Sequence, residues 1–300
     1  DGFETMNYKG DLTARTSSAI FDFIAQTPSV FPLLDTAMTL PFGTPNGFDL
    51  DFAIINNGQA RFSYIYDIPE AMDMNIRVPN LLTPTGEIFE FTQYHPIGSP
   101  LPFQTDSMAL KDYILRPTND SIYVEYYAIL KNSGERVKLD VIVLELWDFT
   151  ASYVEGYMGN EIYEIPRDTI EIDFFENWTR GEVAFEDPTI SVTVLNSFGF
   201  PVRSKANIMD INTADSRVLE LQSLYVDSID VDYPLLSEVG ESRTTFFSFD
   251  KDNSNIDDVL NSNPVAVDYE MGALANPDMD TTIRGFMTDT SQFKIQVEVE

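Results

Sequence analysis

The sequence predicts an all-β protein of two tandem β-sandwich domains with few short helices, and three observations support this fold class. Hydrophobic side chains make up 43% of the 300 residues, so the chain can bury a substantial core. Apolar and polar residues alternate with a period of two in many segments, as in strands that bury one face. Turn sequences such as Asn56-Asn57-Gly58 and Asn132-Ser133-Gly134 separate these segments.

The alternating segments are spread along the whole chain, and acidic residues fill many of their polar positions. Much of the negative charge is therefore expected on the solvated face of a sheet. The predicted strands cover residues 48–54, 122–126, 137–147, 170–174, 190–194, 265–271 and 295–299.

Helix signals are few. The clearest covers residues 254–260, where Ser254 or Asn255 is placed to cap the helix and two aspartates follow in its first turn. A second short helix is predicted over residues 18–25, which are rich in apolar side chains.

A domain boundary is predicted near residues 177–181, or shortly after them at 186–188. It divides the chain into an N-terminal β-rich domain of residues 1–180 and a C-terminal β-sandwich domain of residues 181–300. The sequence begins without a methionine and ends within an alternating segment, so we expect the natural chain to start upstream and to continue beyond residue 300. An upstream lipid anchor would make the protein a lipoprotein.

The chain is strongly acidic, with 49 acidic and 18 basic residues and a net charge of −31 at pH 7. This balance argues against nucleic acid as a partner and against docking on anionic lipid, since both need clustered Lys and Arg. The absence of cysteine excludes disulfides, thiolate nucleophiles and cysteine-ligated metals. No apolar run reaches the roughly 18 residues that a transmembrane helix needs, so no transmembrane segment is predicted in this chain.

The sequence contains no recognisable catalytic motif, and the protein is predicted not to be an enzyme. His95 is the one histidine and no serine lies in a G-x-S-x-G turn, so His95 is interpreted as a surface or packing residue. One histidine without cysteine cannot supply a typical zinc site. A glycosidase needs only two suitably separated carboxylates, but 49 acidic residues give that signal no specificity.

Calcium is the one cofactor that the sequence suggests. One loop places oxygen-bearing side chains at nearly alternate positions, as hard cations require, although it lacks the glycine and the closing glutamate of an EF-hand. The alternative is a loop that caps the following helix and merely tolerates aspartate. A second, weaker candidate covers residues 276–280. The predicted calcium ligands are Asp250, Asp252, Asn253, Asn255 and Asp257.

Two resemblances concern the second half of the chain. Residues 187–202, Asp-Pro-Thr-Ile-Ser-Val-Thr-Val-Leu-Asn-Ser-Phe-Gly-Phe-Pro-Val, resemble the opening of LEA14/WHy-type β-sandwich domains, with Ser197 where those domains commonly have proline. This resemblance implies an immunoglobulin-like sandwich that acts as a structural or binding module. The segments 196–199, 253–256 and 285–289 are similar to envelope proteins of the Bacteroidota, which implies a compartment and no activity.

Six Asp-Ser/Thr triplets resemble the sites at which Bacteroidota attach O-glycans in the periplasm, so the protein is a candidate glycoprotein. The alternative is that an aspartate-rich β-protein places these pairs in turns that precede strands. The candidate O-glycosylation sites are Thr36, Ser107, Ser121, Thr169, Ser228 and Thr281.

The predicted function is that of a non-enzymatic, extracytoplasmic binding or structural subunit, in the periplasm or on the cell surface. It would dock another cell-envelope protein or complex through exposed strand edges and aromatic clusters at residues 62–66, 123–127 and 246–249. The alternative is a β-sandwich protein that binds lipid or carbohydrate, since the same aromatic clusters suit an apolar groove. A carboxylate-based glycosidase is the third hypothesis.

Overall fold

The structure is a computed structural model, and it describes residues 8–16, 30–33, 37–41, 47–65, 70–99, 102–119, 121–137, 139, 141–171 and 188–299. The chain divides into two compact units. The C-terminal unit comprises Asp1–Thr16, Met158–Gly285 and Ser291–Glu300, and the N-terminal unit comprises Ser17–Tyr157 and Phe286–Thr290.

Strands dominate the described part of both units. Strands β1 to β7 are Tyr8–Thr16, Val30–Leu33, Ala37–Pro41, Asp49–Ile65, Met72–Leu82, Ile88–His95 and Phe103–Gln104. Strands β8 to β14 are Met108–Ala109, Ile114–Leu115, Ser121–Leu130, Arg136–Val137, Val141–Tyr157, Ile162–Glu171 and Ile190–Asn196. Strands β15 to β21 are Val202–Thr213, Val218–Glu220, Ile229–Val231, Arg243–Phe249, Pro264–Ala275, Gly285–Thr288 and Gln292–Val299. The helices are α1 (Leu224–Asp227), a 3₁₀ turn at Leu236–Glu238 and α2 (Ile256–Leu260).

The N-terminal unit is built on one large antiparallel sheet with the order β11-β10-β5-β9-β4-β12-β2. Strands β3 and β6 add to β10 and β5, while β7 and β8 pair with β4 and β20 pairs with β12. Strict alternation places Met72, Met74 and Ile76 of β5 in the core, each with 0% exposure, together with Tyr126 of β10. This period of two is what allows one face of the sheet to pack while the other meets water.

The C-terminal unit packs two antiparallel sheets around one core. One sheet has the order β1-β21-β14-β18, and the other has the order β13-β19-β15-β16, with β17 also paired to β15. Side chains from both sheets and from α2 meet between them. The buried members of this core are Val192, Val194, Ile211, Leu221, Val231, Phe249, Ile256, Val259, Leu260 and Ile295.

The predicted all-β class is confirmed, and so is the short helix, which begins after Asn255 and ends at Leu260. The predicted helix over residues 18–25 lies outside the described residues. None of the helices in the described part of the chain is long and apolar enough to span a membrane. Sequence alternation missed β5 and β6, which hold the candidate site.

The observed units interleave along the chain, whereas the prediction had two contiguous domains, 1–180 and 181–300. Strand β1 belongs to the C-terminal unit because it pairs with β21, from Tyr8 opposite Val299 to Thr16 opposite Gln292. The predicted boundary at residue 180 lies within residues 172–187, which are outside the description, so its position stays a prediction.

Candidate functional site

Most edge strands in the described part of the chain carry a feature that hinders pairing with another chain. Strand β13 contains Pro166 and a register shift between Ile165 and Asp168. Strand β1 has a register shift between Asp11 and Thr13. Strands β11, β16 and β17 have only two or three residues each. Proline, bulges and short length are the usual means by which proteins protect a sheet edge.

Strand β6 carries such a feature only at its first residue. Its register with β5 shifts between Leu82↔Ile88 and Val78↔Phe89 and is then continuous to Met72↔His95. The strand runs for eight residues with no proline and no lysine. Among the described residues it pairs with β5 alone, and no backbone group of another segment bonds to its second edge. An edge strand of this length with free N–H and C=O groups is a ready template for an added strand.

The outward side chains of β6 are apolar or aromatic at the two ends of the strand and polar between them. Ile88 is 39% exposed and Tyr94 is 56% exposed, with Glu90 and Thr92 between them, also exposed. Ile97, in the turn after the strand, is 66% exposed. The edge therefore offers hydrogen-bonding backbone together with a row of accessible side chains.

The outward side chains of β5 hold two of these β6 residues in place. Asn75 Nδ2 donates to the hydroxyl of Thr92 at 2.9 Å and to a carboxylate oxygen of Glu90 at 3.3 Å. Asp73, opposite Tyr94, accepts from Lys131 Nζ at 2.7 Å. These contacts fix the side chains that a partner would meet.

The same surface continues onto β10 with further pairs. Arg77 of β5 donates to Glu125 at 2.7 Å, and the Arg136 guanidinium lies 3.5 Å from the centre of the Tyr127 ring. Arginine over a ring face is a favourable cation–π arrangement. Because Arg136 covers Tyr127, the exposed ring of Tyr94 is the accessible aromatic beside the β6 edge.

The inward side of β6 is anchored in the core. His95 is 6% exposed, its Nε2 shares a hydrogen bond with the Tyr64 hydroxyl, and its ring lies 4.6 Å from that of Phe103. Burial lowers the pKa of His95 and raises the pKa of Tyr64, because each loses the water that would stabilise its charged form. Of the two roles predicted for His95, the structure gives it packing.

Strand β18 is a second long edge, and one side chain occupies its C-terminal end. Asn253 Nδ2 donates to the Ser248 carbonyl at 2.9 Å, while its Oδ1 accepts from the Asp250 amide at 3.2 Å. The amide of Asn253 thus bonds as the backbone of a neighbouring strand would. The N–H and C=O groups of an antiparallel strand point to alternate sides from one residue to the next. The backbone groups of Phe246 and Thr244 therefore point to the same edge of β18 as those of Ser248, away from β14.

The predicted calcium ligands lie in one loop that runs into α2, and oxygens of Asp250, Asn253 and Asn255 bond to backbone amides. Asp257 Oδ1 is buried and has no hydrogen-bond partner among the described residues. Asp250 Oδ1 accepts from the amides of Asp252 and Asn253 at 2.9 and 3.1 Å, and Asn255 Oδ1 accepts from the Gln222 amide at 2.8 Å. In the described part of the chain, no three Asp, Glu or His side chains gather as a metal site. These bonds order the loop, but Asn255 makes no side-chain bond that caps α2. Calcium binding at Asp250, Asp252, Asn253, Asn255 and Asp257 and its helix-capping alternative both stay predictions.

Four of the six candidate O-glycosylation residues are exposed, namely Ser107, Thr169, Ser228 and Thr281. Ser121 is 9% exposed and donates to the Asn119 carbonyl at 3.0 Å, so the fold shields it. Thr36 lies outside the described residues. Modification of all six residues stays a prediction.

Comparisons with known proteins give no family for this chain. No family model matches it, and no curated protein matches it in sequence. It is similar to a solved Parabacteroides distasonis protein inferred to be secreted, at 10% identity and a TM-score of 0.27, covering 98% of this chain and 88% of that one. A CBM22 tandem domain of Paenibacillus barcinonensis Xyn10C matches at 8% identity and a TM-score of 0.19, covering 99% of each chain. Similarity this low identifies neither a function nor a ligand.

Proposed function

We propose that this protein is a non-enzymatic, extracytoplasmic binding subunit that docks an extended segment of another cell-envelope protein along the free edge of β6. The observation that carries the proposal is the length and lack of protection of β6 among the described edges. A partner strand would hydrogen-bond to alternate backbone groups of β6, and this mode of recognition needs no preformed pocket.

The exposed side chains of β6 would give the contact its specificity. Ile88, Glu90, Thr92 and Tyr94 lie on one face at two-residue intervals, so side chains of an added strand would sit beside them. Tyr94 and Ile97 offer apolar contact at one end, and Glu90 favours a basic neighbour. The preferred segment is therefore an extended one that combines an apolar side chain with a basic one.

Charge favours a different protein over a second copy of this chain. With 49 acidic and 18 basic residues, two copies repel each other at low and moderate salt. A neutral or basic partner meets no such barrier. An envelope location is supported by the six Asp-Ser/Thr triplets and by the resemblance to Bacteroidota envelope proteins in the second half of the chain.

The proposal is tested by hydrogen–deuterium exchange on the free protein and on the particle isolated gently from the source envelope. In the free protein, the amides of β6 that face the open edge should exchange quickly. In a particle with a stoichiometric partner, the same amides should be protected at least about tenfold. A particle in which β6 exchanges as in the free protein, or isolation of a lone monomer, would contradict the proposal.

A matched pair of variants separates edge pairing from charge. Thr92→Lys places a lysine on the exposed face of β6, and natural proteins use lysine to block pairing at a strand edge. Val218→Lys adds the same charge to β16, a three-residue edge strand in the other unit, at a side chain that is 60% exposed. We expect the first variant to lose the partner and the second to retain it; equal retention by both would overturn the assignment to β6.

A further inference from the structure

The outer face of the β21-β14-β18 sheet in the C-terminal unit has a composition unlike the rest of the chain. Core residues alternate along these strands with outward ones, so the outward set follows from the burial pattern. We call this set the outer face. Its members are Ser191, Thr193, Leu195, Thr244, Phe246, Ser248, Gln292, Lys294, Gln296 and Glu298.

The strand register arranges most of the outer face into three rows. Thr193 of β14 lies opposite Phe246 on one side and Gln296 on the other. The neighbouring rows are Thr244–Leu195–Lys294 and Ser248–Ser191–Glu298. With strands about 4.8 Å apart and rows about 7 Å apart, the three rows cover roughly 10 by 14 Å.

The outer face carries little charge and no net charge. Over its three strands it holds one carboxylate, Glu298, and one ammonium group, Lys294, and six of its ten side chains are hydroxyls or amides. On the adjoining strand β1, the register places one basic and one acidic residue beside it, Lys9 opposite Glu298 and Asp11 opposite Gln296. In a chain with a net charge of −31, this composition is unexpected for a solvent-exposed sheet. Hydroxyl and amide groups both donate and accept hydrogen bonds without imposing a charge on their partner.

An exposed aromatic ring stands in the middle row. Phe246 is 64% exposed, whereas Phe247 and Phe249, on the other side of the same strand, pack against the core and against Tyr225 at ring distances of 5.3 and 6.2 Å. No described ring contacts Phe246. Its ring is therefore open to a ligand that lies across β18 and β14.

We propose that the outer face binds a neutral glycan, a site that is independent of the partner edge on β6. The apolar C–H side of a pyranose ring would lie on Phe246, and its hydroxyls would exchange hydrogen bonds with Thr193, Thr244 and Gln296. An aromatic platform beside a small number of polar groups is suited to such an amphipathic ligand.

The charge of the molecule decides between this ligand and other occupants. A second copy, an acidic polysaccharide and an anionic lipid surface are all repelled by the net charge of −31. A neutral glycan is not. Its polar hydroxyls also match the hydroxyl and amide side chains of the outer face, which both donate and accept hydrogen bonds.

The experiment is affinity electrophoresis of the purified chain in native gels that contain galactomannan, xyloglucan or dextran, with polygalacturonate as the anionic comparison. We expect at least one neutral polymer to retard the protein, and retardation to be insensitive to salt. Phe246→Ala should weaken the affinity at least about tenfold, because centrally placed aromatic anchors dominate such contacts. Ile162→Ala, which removes an apolar side chain of similar exposure (61%) from β13 on the other sheet of the same unit, should leave it unchanged.

The proposal is overturned if none of the three neutral polymers retards the protein, or if Phe246→Ala is retarded as strongly as the unmodified chain. Retardation by polygalacturonate alone would overturn the proposal and assign the outer face to an acidic polysaccharide. A dimer that Phe246→Ala dissociates would overturn it and assign the face to a second copy of this chain. Because Phe246 is exposed, its replacement leaves the core intact, which circular dichroism checks. If Thr92→Lys loses the protein partner at β6 but binds glycan as the unmodified chain does, the two sites act independently, and each proposal can be tested without the other.

Discussion

The two sheets of the C-terminal unit share one core but present opposite kinds of surface. The outer face around Phe246 holds one carboxylate among ten side chains. On the other sheet, Asp210 of β15 lies directly opposite Asp268 of β19 on one side and Glu220 of β16 on the other. Glu270 follows on the same β19 strand. We refer to these carboxylates as the acidic face.

Like charges directly opposite each other destabilise a sheet. The acidic face tolerates this cost with limited compensation: Thr169 and Arg167 donate to Asp268 at 2.6 and 2.7 Å, and Asn207 donates to Glu270 at 3.3 Å. The comparison of the outer face with the acidic face shows that negative charge is not spread evenly over the C-terminal unit. Neutrality of the outer face is a local property, and a binding role would explain it.

The largest expected effect comes from the core that both faces share. Ile256 of α2 is 0% exposed between the two sheets. Ile256→Ala should lower the free energy of unfolding by about 3 kcal/mol, the central value for deleting a buried branched side chain. Chemical denaturation measures it. Leu224→Ala in α1, where the side chain is 82% exposed, is the control and should change stability by less than about 0.5 kcal/mol.

Unfolding of Ile256→Ala should abolish the contrast between the faces, because neither face exists without the packed sheets. Glycan retardation and the lowered pKa of Asp268 should therefore be lost at the same denaturant concentration. Separate transitions would show that the two sheets do not fold as one unit.

A smaller effect of opposite sign is expected on the acidic face. Asp210→Asn removes the carboxylate that lies between Asp268 and Glu220 while keeping its shape. It should stabilise the protein by about 0.5–1 kcal/mol, which corresponds to a melting temperature roughly 2–4 °C higher. Gln296→Glu adds one carboxylate to the outer face and is the matched control, with a small destabilisation expected. Stabilisation by both variants would remove the distinction between the faces.

The salt dependence of stability sharpens the same contrast with a smaller effect. Raising the ionic strength from about 0.01 M to 1 M shortens the screening length from roughly 30 Å to 3 Å, which weakens repulsion among exposed carboxylates. The melting temperature of the unmodified chain should therefore rise. The rise in melting temperature should be smaller in Asp210→Asn, since part of the repulsion is already absent. In Thr193→Val the rise should equal that of the unmodified chain. Equal slopes in all three would contradict a localised repulsion.

Much of this fold was predictable from the period of two in the sequence. Alternation at residues 190–194 and 295–299 located β14 and β21, and Asp257 and Asp258 marked the start of α2. The division into units was not predictable in the same way. The pairing of β1 with β21, from Tyr8↔Val299 to Thr16↔Gln292, joins opposite ends of the described chain, and no local pattern encodes that contact.

The sequence predicted the type of candidate site, a strand edge, but not the strand that provides it. The sequence pointed to strand edges and named residues 246–249, yet β6 was missed although Phe89, Glu90, Phe91 and Thr92 alternate clearly. Whether a strand is an edge depends on its neighbours in the sheet, which the sequence does not show. The loop with Asp250 and Asn253 is a second example, because its oxygens suggest calcium and the sequence does not show the backbone amides to which they bond.

The smallest effect concerns a single carboxylate on the acidic face. Hydrogen bonds from Thr169 and then from Arg167 lower the pKa of Asp268 below its ordinary value near 3.9. Because the folded pKa lies below the unfolded one, the ionised carboxylate stabilises the fold above the unfolded value, and this contribution is lost as the pH falls through the folded pKa. Thr169→Val and Arg167→Ala should each raise the pKa of Asp268, as followed by carboxyl NMR. Arg203 pairs with Asp230, so Arg203→Ala is the control and should leave the pKa of Asp268 unchanged.

The same pKa also tests glycosylation of Thr169. An O-glycan on Thr169 in native material would remove its hydroxyl proton, so the pKa of Asp268 should rise there as it does in Thr169→Val. An unshifted pKa in glycosylated protein would show that the modification lies elsewhere.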